Sequence, residues 1–206
     1  MNFFFQDWSL ARFLRNRIAG SAYRGEAQPR PEMRVLETKR LVLRKFQQDD
    51  LKDLVRWQKD SGAAYTESEA QGFLDFCFRE YVRCGIGPWG IRLRETGTVI
   101  GSCSFCYIHP NRKCGEVNYY VAPQYRGQGI APEALGAVLE FGFADVGLAR
   151  IEARCPPGNA SSERVMQKAG MNFERMISST EEPKGRSKSS KLYTILQRHF
   201  KPRPSE

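Results

Sequence analysis

From Val35 onward, short apolar runs alternate with polar breaks. Leu36, Leu41, Leu43 and Phe46, interleaved with charge, predict a first strand over Leu36–Phe46. Asp49 or Asp50 is placed to cap a short helix whose apolar positions are Leu51, Leu54 and Val55. Thr66-Glu-Ser-Glu69 reads as a capping box, in which hydroxyl and carboxylate satisfy each other's orphan amides. Behind it, Ala70, Phe73, Leu74, Cys77 and Tyr81 recur at helical spacing, and Gly85 ends the run. Three β-type segments follow, Trp89–Arg94, Val99–Tyr107 and Gly115–Ala122, with Glu95-Thr-Gly97 and Pro110–Lys113 as the turns between them. A long helix over Ala131–Val146 carries Pro132 and Glu133 in its first turn and stops at Gly147. The strand Arg150–Cys155 then leads to a helix over Ala160–Ala169, closed by Gly170. Met171–Ser178 and Lys191–Phe200 are the last strands, with the polar, basic loop Ser178–Ser190 between them. The order β α α β β β α β α β β predicts an α/β (α+β) architecture, a mixed sheet with helices on both faces.

The first 32 residues have a different texture. Phe4, Trp8, Ala11, Leu14 and Ile18 share helical spacing, with Arg12, Arg15 and Arg17 interspersed, which describes a basic amphipathic helix. Three roles compete for it: docking on the domain or a partner, a membrane-surface anchor, or an organellar presequence. Docking is the reading adopted. Gly20–Pro31, small and polar with two prolines, is a linker. The chain thus divides into 1–32, a basic helix and linker, and 33–206, one domain with its own core.

Composition narrows the class. The chain has 206 residues, 41% apolar and 27% charged, which suits a globular protein and excludes a disordered one. No apolar run approaches the ~20 residues of a membrane-spanning helix. The formal charge of +9 sits at the ends: residues 1–34 carry an excess of three positive charges and 183–206 of six, while 35–182 sum to zero. A groove for a phosphate backbone needs a basic face on the folded body, so DNA is not expected as a partner. Cys103-x-x-Cys106 lacks a second pair at zinc spacing, the only histidines are His109 and His199, and no metal is expected. With no secretory signal in view, the six cysteines read as reduced thiols of a cytoplasmic protein.

The chemistry lies in Val121-Ala-Pro-Gln-Tyr-Arg-Gly-Gln-Gly-Ile-Ala131, where a strand runs through a glycine turn into a helix. Gly127 and Gly129 can take φ > 0, so that successive N–H groups converge on an anion. The helix N-terminus behind them adds orphan donors and a positive dipole end, and Arg126 offers a charge-assisted contact. That is equipment for a pyrophosphate. The spacing is neither the Walker pattern nor G-x-G-x-x-G. A tight strand–helix turn would show the same Gly-x-Gly, so the neighbouring segments must decide.

Gln124-x-x-Gly127-x-Gly129 is similar to the Q/R-x-x-G-x-G/A acetyl-CoA signature of the GNAT superfamily of N-acetyltransferases. Asn159-Ala-Ser-Ser162 with Lys168-Ala-Gly170-Met resembles the N-x-x-S…K-x-G-F block of its ribosomal-protein acetyltransferase-like (Rim type) branch. Leu36–Arg44 resembles that branch's opening strand, and Gly115-Glu-Val-Asn-Tyr-Tyr its central one. The resemblance spans about Val35 to Phe200 and implies a mostly antiparallel sheet with a splayed edge. It also implies that acetyl-CoA is the co-substrate. Tyr119, Val121 and Ala122 would pair with pantetheine along the splay, the Tyr119 amide acting as oxyanion donor. Gln124, Arg126, Gly127, Gln128, Gly129, Ile130 and Ala131 would cradle the pyrophosphate. Asn159 would tether the pantetheine arm, and a plain helix cap is compatible with that. Ser162 would protonate the leaving thiolate, since Met166 stands where many relatives carry a tyrosine.

A base must take a proton from the attacking amine. Glu116 is the candidate, although strand alternation puts it on the face opposite Tyr119 and Val121, where an ion pair with Lys113 or Arg112 would also account for it. Glu152, Glu181 and Glu182 are alternatives. Phe105, Tyr107, Tyr119 and Tyr120 could line an acceptor cleft or belong to the core. The Rim-type resemblance implies a protein N-terminal amine as acceptor. A small amine (amino acid, polyamine or aminoglycoside), a non-catalytic acyl-CoA-binding module, a ribosome-binding module and a membrane-associated enzyme are the other readings. A homodimer is compatible with the resemblance.

Overall fold

The computed structural model describes residues 32–57, 64–109, 113–178 and 189–201. The N-terminal helix and linker, Arg112, Glu181, Glu182 and most of the basic loop therefore lie outside the described residues.

The predicted first strand divides in two. Strand β1 (Leu36–Glu37) and strand β2 (Leu41–Lys45) pair antiparallel around a turn closed by the Thr38 N–H on the Leu41 carbonyl at 3.0 Å. A 3-10 turn, Gln48–Asp50, leads into helix α1 (Leu51–Leu54). Asp50 does not cap that helix with its side chain. Its carboxylate instead accepts from the Gln47 N–H at 2.8 Å and from the Arg44 guanidinium fork at 2.7 and 2.8 Å. Helix α2 (Glu67–Cys84) starts on the expected capping box, with the Glu69 N–H on Thr66 Oγ1 at 3.2 Å and the Thr66 N–H on Glu69 Oε2 at 2.9 Å. It ends at Gly85, which takes φ +73° as a helix C-terminus requires.

Strands β3 (Trp89–Leu93), β4 (Val99–His109) and β5 (Cys114–Val121) form a meander. Helix α3 (Ile130–Ala144), strand β6 (Arg150–Cys155), helix α4 (Ala160–Lys168), strand β7 (Asn172–Ile177) and strand β8 (Ser190–Leu196) complete the order. The last strand stops short of the expected Phe200, because a 3-10 turn takes Gln197–His199.

The sheet runs β1-β2-β3-β4-β5-β6-β8-β7. Among its described pairs only β5 and β6 are parallel. One face packs Leu41, Trp89, Ile91, Val117 and Val121 against Leu135, Val138 and Leu139 of α3 and Met166 of α4. The other packs Phe46, Val99 and Ala122 against Leu54 of α1, Trp57 just after it, and Leu74 and Cys77 of α2. Helices on both faces thus bury the sheet from each side, as the apolar periodicity predicts. Among the described residues no helix is long and apolar enough to cross a membrane.

Candidate active site

The site forms where two strands part. β5 is paired with β4 along its whole length, from Cys114 to Val121. Its pairing with β6 covers only Cys114, Gly115 and Glu116, opposite Arg150, Ile151 and Glu152. Beyond Glu116 the sheet is open on that side. The Ala122 N–H donates to the Ile100 carbonyl at 2.9 Å, which sets the phase of the ladder. Asn118 and Tyr120 therefore turn their backbone groups to β4, and Tyr119 and Val121 turn theirs to the opening. Of the three residues expected on this edge, Tyr119 and Val121 face the opening, where the Val121 carbonyl accepts from Arg126 Nε at 2.8 Å; Ala122 does not, being fully buried with its N–H given to β4.

Below this edge the chain makes a 3-10 turn, Pro123–Tyr125, and reaches the glycines. Gly127 and Gly129 have φ +79° and +76°, conformations that only glycine takes without strain. Gly129 is the N-cap of α3, and the Glu133 N–H finds the Gly129 carbonyl at 3.3 Å. The amides of Ile130 and Ala131 precede any intrahelical acceptor, and Pro132 has none to offer. Residues 126–128 are exposed, so the turn faces solvent at its mouth. Gln124 is exposed and turns its Nε2 to the Arg56 carbonyl at 3.4 Å. Arg126 folds back along its own strand: Nε donates to the Val121 carbonyl at 2.8 Å, and the guanidinium lies over the Tyr120 ring, 5.6 Å from its centroid.

Asn159 caps α4, accepting from the Ser162 N–H at 3.1 Å and the Ser161 hydroxyl at 2.8 Å. Ser162 is half-buried in the first turn of that helix. Its carbonyl accepts from the Tyr119 hydroxyl at 3.1 Å, a bond that ties α4 to β5 on the far side of the opening. Burial holds the Tyr119 phenol protonated far above neutral pH. Glu116 is the last residue of β5 paired with β6, which puts it at the vertex of the opening. Its Oε2 lies 3.6 Å from Arg154 Nε of β6. Glu152 is held by Arg150 at 2.8 Å. Of the four aromatics, Phe105 is core, Tyr119 packs beside it, Tyr120 stacks on Trp57 at 5.3 Å, and Tyr107 is exposed against His109.

One residue at the site was not foreseen. Arg40, in the β1–β2 turn, donates from Nη1 to the Gln128 carbonyl at 2.9 Å. Among the described residues no group of three or more His, Cys, Asp and Glu is arranged to hold a metal ion.

Residues 40–172, well over half of the chain, match the family model for the acetyltransferase (GNAT) domain. The chain is 32% identical over 146 residues to the uncharacterized N-acetyltransferase YnaD of Bacillus subtilis, covering 68% of this chain and 83% of that protein. It is 30% identical over 83 residues to the ribosomal-protein-serine acetyltransferase of Escherichia coli, covering 40% of this chain and 46% of that one. The structure of Mycobacterium smegmatis RimJ in complex with CoA-disulfide superposes with a TM-score of 0.62 at 25% identity, covering 76% of this chain and 81% of that one. The chain therefore belongs to the GNAT acetyltransferase family, as an N-acyltransferase similar to the ribosomal-protein acetyltransferases.

Proposed function

We propose that this enzyme moves an acetyl group from acetyl-CoA to a primary amine, with a protein N-terminal amine as acceptor. The observation that carries the donor half is the parting of β5 from β6 after Glu116, with the backbone edge of Tyr119 and Val121 leading straight into the glycine turn. A pantetheine arm can complete the ladder along that edge, its amides pairing with the backbone of Tyr119 and taking the place of Arg126 Nε on the Val121 carbonyl. The turn at Gly127–Ala131 then takes the diphosphate on unpaired N–H groups and a helix dipole. The Tyr119 amide supports the oxyanion of the thioester as charge develops there. Asn159 keeps its carboxamide oxygen in the α4 cap and offers Nδ2 to the arm. Ser162 donates to the departing thiolate, and Glu116 at the vertex receives the proton of the amine. The likeness to ribosomal-protein acetyltransferases supports a protein acceptor. The activity is assigned to residues 33–206, with 1–32 as an appended segment.

Calorimetry with coenzyme A tests the donor, and an acetylation screen of N-terminal peptides against small amines tests the acceptor. Saturable turnover of peptides alone is expected. Turnover of small amines alone would move the acceptor to that class, and the absence of heat with coenzyme A would end the reading.

The role given to Tyr119 is in its backbone, which yields a sharper expectation. Tyr119→Phe deletes the hydroxyl that holds Ser162 and should cost about 1 kcal/mol of stability, the usual worth of one hydrogen bond. It keeps the amide, so kcat should stay within about threefold, well short of the ~100-fold of a lost oxyanion donor. Urea unfolding and steady-state kinetics measure the two. A hundredfold fall in kcat would give the phenol a chemical role and contradict the assignment.

A further inference from the structure

The glycine turn is held from outside its own segment. Besides Nη1 on the Gln128 carbonyl, Arg40 directs Nε to Glu133 Oε2 at 2.8 Å, with Nη2 2.6 Å from the same oxygen. The other oxygen of Glu133 accepts from the Thr38 hydroxyl at 2.6 Å and from the Arg40 N–H at 3.0 Å. A carboxylate in the first turn of α3, only 7% exposed, is thus fully bonded by the β1–β2 turn. Burial opposes its charge, but the bonds from Thr38 and Arg40 outweigh that and hold its pKa below the ordinary carboxylate value. The Arg40 side chain is itself 45% exposed, and a Cβ on Gly129 would stand 3.4 Å from Nη2. Its guanidinium therefore lies between the carboxylate and the turn, one edge in water.

Two consequences follow from elementary chemistry. The Gln128 carbonyl and the Gly129 N–H belong to one planar trans peptide and point in opposite directions. Fixing the carbonyl on Arg40 therefore aims the Gly129 amide away from Arg40. The second is electrostatic. A carboxylate one turn into the helix repels any diphosphate at its N-terminus unless a cation neutralises it.

We propose that Arg40 is a positioning residue of the donor site: it aims the Gly129 amide through Gln128 and neutralises Glu133, which would otherwise repel the diphosphate. The proposal rests on reading the turn as a diphosphate cradle. It makes the β1–β2 turn, distant in sequence from the cradle, part of donor recognition.

The test is calorimetry with coenzyme A on the full chain, as wild type, Arg40→Gln, Arg40→Lys, Glu133→Gln and the double variant Arg40→Gln/Glu133→Gln, each at two salt concentrations and with a melting curve. Arg40→Gln should weaken Kd by tenfold or more, about the worth of a charge-assisted contact. Its dependence of Kd on salt should be shallower than wild type, because a cation has left the site. Glu133→Gln removes the charge and keeps one oxygen for the Thr38 hydroxyl and the Arg40 N–H, while its NH2 gives up the bonds from the Arg40 guanidinium, so it should weaken binding less than Arg40→Gln does. Adding it to Arg40→Gln should recover most of the loss, and Arg40→Lys should fall between the two. Kd for Arg40→Gln equal to wild type overturns the proposal. So does a loss that follows melting temperature with an unchanged salt dependence, or a double variant that adds the two single effects. Absence of binding by the wild type would instead overturn the cradle itself, leaving the two failures distinguishable.

Discussion

Replacing Gly127 or Gly129 with glutamate is expected to abolish coenzyme A binding in a chain that still folds. The two effects separate because the turn is strained for any other residue yet uncrowded. A Cβ at Gly127 would meet nothing within 4 Å, and one at Gly129 would meet only Arg40 Nη2, at 3.4 Å. The fold therefore pays for left-handed backbone alone, about 1–2 kcal/mol. In a domain of this size that lowers the melting temperature by roughly 2–8 °C. Binding suffers far more. A carboxylate replaces open space beside the diphosphate, and any rearrangement that relieves φ > 0 turns the converging amides away. A loss of more than about a hundredfold is expected from like charge and lost donors together. Gly127→Ala separates the two causes: it carries the backbone strain without the charge and should weaken binding less than glutamate does. Calorimetry and a melting curve on the same preparation decide the matter, and tight binding by either glutamate variant would contradict the assigned site.

How far the sequence carries this site depends on the range of the interaction. Local features were legible. The capping box at Thr66 and Glu69, the glycines that end α2 and open α3, and the Asn159 cap all act within a few residues, and each appears where spacing puts it. The division of the opening strand also has a signal in the sequence. Leu36 and Leu41 are both buried against one core, yet five residues of continuous strand would place them on opposite faces. That parity conflict requires the turn at Thr38–Arg40. The remaining gaps are long-range. The Arg40–Glu133 contact joins residues far apart in sequence, and nothing local marks either as half of a pair. Glu116 finds Arg154 only because β5 and β6 run parallel in one register, with Glu116 opposite Glu152 and Arg154 two residues further on. Charge alternation within a segment carries no information about that alignment.

Gly101→Val is expected to damage both fold and site, through a contact that no side-chain rotation can relieve. Gly101 lies on β4 opposite Val121, the last paired residue of β5. A Cβ there would collide with the Tyr120 carbonyl oxygen and stand 3.1 Å from Val121 Cα. Both are backbone, so the strands themselves must separate, and a β-branched side chain deepens the clash. Overpacking usually costs 1–3 kcal/mol, and backbone displacement places this case at about 3 kcal/mol. The melting temperature should fall by roughly 6–12 °C. The displaced segment is also the edge that carries Tyr119 and Val121, and a shift of about 1 Å in a positioned group can cost a hundredfold in rate. Lost stability alone would not do this. Leu74→Ala, a fully buried position of α2 on the opposite face of the sheet, should lose a comparable 2–5 kcal/mol while binding coenzyme A as the wild type does. Urea unfolding with calorimetry on both variants separates the two. Equal affinity in Gly101→Val and Leu74→Ala would mean that the β4–β5 ladder does not set the geometry of the donor edge.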